Sequence, residues 1–583
     1  MESVHPSPGA VKLRLACLSS FTFEPIVAAL GLQLRRAGFD AETYVAPFGQ
    51  FDAELIGPDS ELTRFGPNAV LVAIRLQDVC PAIYESFNAT RPDAARGLLN
   101  DWRERLRAAL SAFRSRSDAH LLIQNYDLPA APAGGIADGG AENSQGALIQ
   151  AANDDLAEIA RGLENTYVLD YDALVARVGR EAWTDRRMAL YARAPVAPQH
   201  YWRLAGFYVR HLRPLYGLTK KVLVLDADNT LWGGAVGDLG VDGIALGPDY
   251  PGSAYVAFQR RVLDLYHRGV VLCIASKNEP GAVERVLDEH PEMVLHREHF
   301  AALRVNWEPK PQNFQALAAT LNLGLDSFVF VDDSPVECEL MRAALPQVTT
   351  IRLPAEPALF AEVIERVDCF DQWTVSEEDR RRGELYRSEA GRRELETAAV
   401  DMPMFYRQLQ MKIAIGVDVP AQVARASQMT NRTNQFNMHT IRCTPDDIRR
   451  FVDAADYHLV TLALADRYGD SGVVGLAVVR KAERDWVLHM LLMSCRVLGR
   501  TVENAFVAWI AGEARAGGAT ALVAEFVATP KNKPFAGFYE SVGFHRDSSG
   551  GDVERWVLPL DDAHCTIPDW FDVSVERGSE PRR

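Results

Sequence analysis

The stretch VLVLDADNTLWGG, Val222 to Gly234, decides how the chain is read. Its four leading aliphatic residues have the character of a strand covered on both faces. The strand ends by placing two carboxylates, Asp226 and Asp228, one residue apart, where like charges repel. A hard cation such as Mg²⁺, bound by oxygen ligands, removes that repulsion and bridges to a phosphate oxygen. One aspartate is then placed to attack phosphorus and the other to give a proton to the leaving group. The end of a strand in an open α/β sheet is where such folds carry their sites.

Three further pieces should follow, and each is present in order. CIASKN ends the next strong strand with Ser276, a hydroxyl suited to a phosphate oxygen. NWEPKPQN supplies Lys310, a cation for the phosphoryl group, and FVFVDDSPVE ends another strand with Asp332 and Asp333. The set resembles the haloacid-dehalogenase (HAD) phosphatase superfamily. That resemblance implies Asp226 as nucleophile, Asp228 as general acid/base and Ser276 and Lys310 as phosphate ligands. It also implies Mg²⁺ held by Asp226, Asp228, Asp332 and Asp333. The intervals from Asp226 to Ser276 and from Ser276 to Lys310 leave no room for a large cap domain, and WGGAVGDLGVDGIAL reads as a small flap. An open site of this kind suits a large substrate, or one presented by another domain.

Outward from this centre, 583 residues suffice for several domains. A hydrophobic content of 48% and a charged content of 24% belong to a soluble globular chain. The net charge of −16 argues against a broad grip on nucleic acid. Eight cysteines without a CxxC pair read as reduced thiols. No signal peptide is apparent and no apolar run reaches the roughly 18 residues of a membrane span. The expectation is a cytoplasmic protein with no membrane and no nucleic-acid partner.

The organisation expected is an α/β domain over 1–218, the phosphatase domain over 219–370, a helical linker over 371–400, an α+β domain over 401–565 and a tail over 566–583, whose last stretch VERGSEPRR reads as disordered. In the first block the clearest strands are Leu13–Leu18, Ala69–Ile74, Leu121–Asn125 and Tyr167–Leu169, with a mobile Gly/Ala-rich loop at Pro129–Ala147. The linker, SEEDRRRGELYRSEAGRRELE, reads as a solvated helix laced with i,i+4 pairs.

LLMSCRVLGRTVENAFVAWI in the last block resembles the GNAT acyltransferase fold, in which a strand leads to a phosphate-binding loop at a helix start. Arg496 and Gly499 fit that loop, while Thr501 stands where Gly or Ala is expected and argues against pyrophosphate binding. Cys495, beside Arg496 and ahead of a helix, is a core hydrophobe or a nucleophile of lowered pKa. CLSSFTFEP in the first block resembles an SGNH-hydrolase-like sheet, with Ser19 and Ser20 after the first strand. Asp185 and His200 do not have the spacing of that family's partner element, so a docking or scaffold role is expected. The fold class is therefore a multidomain α/β protein: a central HAD-type Rossmann-like parallel sheet, a flavodoxin/SGNH-like N-terminal domain and a GNAT-like C-terminal α+β domain.

Together with MTNRTNQFN, these motifs resemble the FkbH-like glyceryl transferase/phosphatases of polyketide pathways. The resemblance implies 1,3-bisphosphoglycerate as substrate and the phosphopantetheine thiol of an acyl carrier protein as acceptor. It further implies Cys495 as acyl carrier and Arg496 and Gly499 at the pantetheine arm. Two other readings stand beside it. One is a phosphatase of a soluble metabolite fused to an independent CoA-dependent acetyltransferase. The other is a non-catalytic carrier-protein adaptor, which has no need of the complete HAD set.

Overall fold

Short aliphatic runs separated by amphipathic helices build two parallel sheets. The computed structural model describes residues 10–398, 401–433, 436–439, 441–482, 484–494, 497–529, 532–547, 553–560 and 566–578. They fall into two compact units, Met1–Lys220 with Val367–Thr374, and Lys221–Arg366 with Val375–Arg583.

In the first unit the strands lie in the order Phe39–Val45, Val11–Ser19, Ala69–Ala73, His120–Gln124, Thr166–Leu169, all parallel. Successive side chains point to opposite faces. Ala16, Leu18, Val70, Val72, Leu121 and Ile123 enter a core with residues of helices Pro92–Arg114 and Gln145–Arg161. Leu13, Leu15, Leu71 and Leu122 enter a second core with Glu24–Arg36 and Tyr201–Leu212. Both faces are thus covered, as an all-parallel sheet requires. The edge strand Phe39–Val45 escapes a sequence reading because Phe39 is its one fully buried position.

Two expectations change here. The Gly/Ala-rich loop is tied down: Asp138 accepts from the amides of Gln145 and Gly146 at 2.9 and 3.1 Å, and Gln145 Oε1 accepts from Ala133 N at 2.7 Å. The expected boundary at 370/371 cuts through a strap that belongs to the first unit. Lys220 N donates to Cys369 O at 2.8 Å, Arg210 pairs with Asp371 at 2.5 Å, and Trp373 donates its indole N–H to His211 O at 3.1 Å. The Trp373 ring lies 4.6 Å from that of Tyr167.

The second unit opens with a parallel sheet in the order Thr349–Arg352, Phe328–Asp332, Val222–Leu225, Val271–Ser276, Phe300–Val305. The chain moves outward on one side of Val222–Leu225 and then returns to its other side. The strand order therefore reverses between Val222–Leu225 and Phe328–Asp332, the crevice where open sheets bind ligands.

Helix Arg382–Ala398 follows, and it is not the solvated face its charges imply. Arg392 is buried and grips Asp466 through two hydrogen bonds of 2.6 and 2.8 Å. Ser388 donates to Tyr468 O at 2.7 Å, and Arg382 donates to Gly269 O at 3.1 Å. The helix is thereby docked on the sheet built on Val222–Leu225 and on the sheet that follows.

That last sheet runs His545–Arg546, Glu554–Pro559, Ala521–Phe526, Asp485–Met493, Gly469–Arg480, Tyr457–Asp466, Met411–Val417, Phe571–Arg577. Its neighbours are antiparallel except Asp485–Met493 with Ala521–Phe526, joined through helix Val502–Ala516, and Met411–Val417 with Phe571–Arg577. This is the expected α+β order. The supposed tail is in part that closing strand, paired from Met411↔Phe571 to Val417↔Arg577; residues 579–583 lie outside the described residues. No helix among the described residues is long and apolar enough to cross a membrane.

Candidate active site

The strand Val222–Leu225 is fully buried and delivers Asp226 to the crevice, with Asp226 N bonded to Val331 O at 3.1 Å. The adjacent strand ends in Asp332, also fully buried, whose Oδ1 accepts from Ser334 N at 2.7 Å. Lys310, the first residue of helix Lys310–Leu321, extends beneath both. Its Nζ lies 2.8 Å from Asp226 Oδ1 and also bonds Asp332 Oδ2. Ser276 ends the strand on the other side, buried, and its hydroxyl hydrogen-bonds the Asp226 carboxyl. Asp226, Asp332 and Asp333 each offer a carboxylate oxygen within 4.8 Å of the others.

The charges do not balance. Ionised together, Asp226, Asp332 and Asp333 would carry two more charges than the Lys310 ammonium offsets. Burial pushes the Asp226 carboxyl above the usual carboxylate range, against the pull of Lys310 and Ser276. Burial likewise raises Asp332, helped by Asp226, and raises Asp333, helped by Asp332. Burial would lower the ammonium of Lys310, but Asp226 and Asp332 outweigh it and hold it above its ordinary value. A deficit of two charges beside three oxygen donors is the chemistry of a hard divalent cation, so the residues present fit Mg²⁺.

Asp228 sits differently from the expectation that its side chain joins the ion. Its Oδ1 accepts from Trp232 Nε1 at 3.0 Å and Val236 N at 3.2 Å, and its Oδ2 accepts from Asn278 Nδ2 at 2.9 Å. Its carboxylate is outside the three-residue donor group, and burial raises its pKa. This placement suits a proton donor and leaves the ion to the other three.

Trp232 and Asn278 are the residues the motifs left out. Trp232 is fully buried and Asn278 nearly so, and both orient Asp228. Their signal was position: Trp232 is four residues past Asp228 and Asn278 two past Ser276. Asn229 takes a left-handed conformation and accepts from Gly234 N at 2.8 Å, closing the turn. Gly233 and Ala245 then exchange two hydrogen bonds of 3.1 and 2.8 Å, which shape the expected flap.

The other sites are less complete. Cys495 and Arg496 lie outside the described residues, as do Asn434 and Gln435 of MTNRTNQFN. Gly499 is left-handed, and its amide is bonded to Glu503 Oε1 at 3.3 Å. A carboxylate thus occupies the amide that a phosphate would need. Thr501, also left-handed, accepts from Trp570 Nε1 at 3.1 Å. In the first unit Ser19 donates to Phe21 O at 2.5 Å and Ser20 to Asp78 Oδ2 at 2.7 Å. Asp185 caps a helix through Met188 N at 2.9 Å, while His200 stacks on Trp183. These four residues are not brought together as a catalytic triad.

No family model matches the chain, and no curated protein matches it. Among solved structures it is similar to the N-terminal part of the protein BF1531 from Bacteroides fragilis, which contains a phosphatase domain complexed with Mg. The two are 24% identical, with 63% of this chain and 95% of that one covered and a TM-score of 0.56. That likeness is one of fold. A putative acetyltransferase of the GNAT family from Desulfovibrio desulfuricans is 20% identical, covering 25% of this chain and 99% of that one at a TM-score of 0.21. The ribosomal-protein-S18-alanine N-acetyltransferase from Escherichia coli is 14% identical, covering 25% and 94% at a TM-score of 0.21. The C-terminal architecture stands on its strand order and its parallel pair.

Proposed function

We propose that the chain is a Mg²⁺-dependent phosphatase coupled to acyl transfer, which loads a glyceryl unit from 1,3-bisphosphoglycerate onto the phosphopantetheine thiol of an acyl carrier protein. The observation that carries the phosphatase part is Lys310 buried between Asp226 and Asp332, with Asp333 beside them. The Mg of the Bacteroides fragilis structure supports the choice of ion. The glyceryl and carrier parts rest on the FkbH-like motifs.

Asp226, Asp332 and Asp333 would hold the ion, which would neutralise carboxylate charge and supply Lewis-acid polarisation to the phosphoryl group. The carboxylate of Asp226 attacks phosphorus and the P–O bond to the leaving group breaks. Asp228, held by Trp232 and Asn278, gives its proton to that oxygen. Asp228 then takes a proton from water, whose oxygen displaces Asp226 from phosphorus and frees inorganic phosphate. Lys310 and Ser276 steady the phosphoryl oxygens throughout. In the acyl step a thiolate attacks C1 of the acyl phosphate, the C–O bond to phosphate breaks, and a thioester results. Cys495 is the thiol proposed for the first transfer, and the carrier thiol collects the acyl group from it.

Intact-protein mass spectrometry with Mg²⁺, 1,3-bisphosphoglycerate and phosphopantetheinylated carrier proteins tests this. A glyceryl increment on a carrier, absent with Asp226→Asn, is the expected result. Phosphate release without an increment on any carrier would instead favour a phosphatase of a soluble metabolite. A Cys495→Ala chain that loads the carrier at the normal rate would remove Cys495 from the path and leave direct attack by the carrier thiol.

A further inference from the structure

Strands Asp485–Met493 and Ala521–Phe526 pair in parallel only from Asp485↔Ala521 to Leu488↔Ala524. Beyond Leu488 they part, and the chain around Phe436–Asn437 enters between them. Phe436 and Asn437 pair with Met493 and Leu492, Met438 N donates to Leu491 O at 2.9 Å, and Val527 N donates to Met438 O at 2.8 Å. The first residue past the parting is His489. On its other side Leu488 pairs with Val479 and Met490 with Val478, so His489 is the extra residue of a bulge. Bulges bend a strand and re-aim a side chain, and they gather beside functional sites.

Three side chains from three segments meet at this point. His489 Nδ1 lies 2.8 Å from Glu525 Oε2, on the neighbouring strand. His439 Nδ1, at the end of the inserted segment, lies 3.4 Å from the same oxygen and 2.9 Å from the main-chain oxygen of His489. One donor atom of each side chain falls within 4.8 Å of the other two. A hydrogen-bonded pair needs one imidazole on a carboxylate, and here two converge. Donors bound to zinc at about 2.0–2.1 Å in a tetrahedron stand roughly 3.3 Å apart. The separations of 2.8, 2.9 and 3.4 Å found here are close to that spacing. The side chains of His439, His489 and Glu525 keep 16%, 33% and 21% of their surface exposed, which leaves a route for an ion.

We propose that His439, His489 and Glu525 bind a divalent ion of the zinc class, with the main-chain oxygen of His489 as a fourth donor. Two imidazole nitrogens and a carboxylate are a zinc-type set, unlike the all-oxygen Asp226 centre. The ion fastens the inserted segment between the parted strands. The proposal does not depend on the phosphatase or transferase reading.

The test uses the full chain carrying Asp332→Asn, stripped with chelator and titrated with Zn²⁺ in excess Mg²⁺. One zinc equivalent per chain is expected, and Co²⁺ in its place should give the strong visible absorption of a four-coordinate ion. Adding His489→Ala, or separately Glu525→Gln, should remove the equivalent and the zinc-dependent rise in melting temperature. Absence of any zinc equivalent resistant to Mg²⁺ would overturn the proposal. So would an equivalent that survives in a folded His489→Ala or Glu525→Gln chain, folding being checked by circular dichroism.

Discussion

Lys310 is one ammonium among three carboxylates, and the division of labour among those carboxylates is testable. Asp228→Asn should lower kcat for phosphate release by about 10²–10⁴-fold, the usual worth of a positioned general acid. Because its carboxylate lies outside the donor group, that variant should keep its Mg²⁺-induced rise in melting temperature. Asp332→Asn should lose that rise, so steady-state kinetics and thermal shift together separate the two roles. A shared loss of the thermal rise would place Asp228 among the ligands after all. Gly234 carries a different constraint. Its φ of +93° is left-handed, and a Cβ there would collide with Leu239. Gly234→Ala should cost about 1–2 kcal/mol from the backbone alone, read in a denaturant melt. Asp226, Ser276 and Asp332 were legible as polar groups closing aliphatic strands, and Lys310 as the cation that opens the helix between the last two of those strands. Trp232 and Asn278 were not, since a tryptophan in an apolar run and an asparagine in a turn have ordinary structural uses.

Among the elements, helix Arg382–Ala398 shows where reading by composition stops. Its charges mark a solvated face until tertiary packing supplies Asp466, whose side chain is 1% exposed beside an Arg392 side chain 5% exposed. Removing Arg392 leaves the buried Asp466 carboxylate with the longer 3.5 Å pairing to Arg500 in place of the two-bond grip, so Arg392→Ala should destabilise the chain by about 3 kcal/mol, the low end for a broken buried pair. Arg392→Met with Asp466→Leu should recover most of it in a double-mutant cycle, and single-variant losses that simply add in the double variant would refute the pairing. The strands were legible where apolar residues run unbroken, as in Ala69–Ala73, and lost where an edge dilutes the pattern, as in Phe39–Val45. The bulge at His489 was equally hidden, because a one-residue register shift leaves no mark in the hydrophobic pattern.

The strap Val367–Thr374 also sets a pH response. Burial lowers the pKa of His211, whose ring lies 5.4 Å from Trp373, and burial lowers that of His120 in the same unit. A histidine held below its unfolded value leaves the unfolded chain the better proton acceptor. Its contribution is therefore complete above the ordinary histidine value of about 6.5 and is lost as pH falls from there through the lower folded value. Melting temperature should drop on that acid limb, and His211→Leu should flatten the drop.

Taken whole, the protein should respond to Mg²⁺ in the unit that holds the carboxylates. An ion at a hundredfold its Kd adds about 2.7 kcal/mol, and calorimetry with and without chelator would measure it. Since Asp226, Asp332 and Asp333 all lie above the usual carboxylate range, protons compete with the ion. The metal-free unit should lose stability as pH rises through that raised range, and the Mg²⁺ increment should shrink as pH falls back through it. That the sheets are parallel was legible from the strand–helix rhythm, whereas the division into units was not, because the strap is distant in sequence from the unit it completes. That distance has a consequence for biosynthesis. The first unit is discontinuous, so Lys220 leaves the ribosome long before Cys369, its hydrogen-bond partner. At about 5–20 residues per second the gap is on the order of ten seconds. Through that interval the nascent sheet waits with Tyr167 and His211 uncovered, and the sheet built on Val222–Leu225 must emerge before its predecessor can be finished.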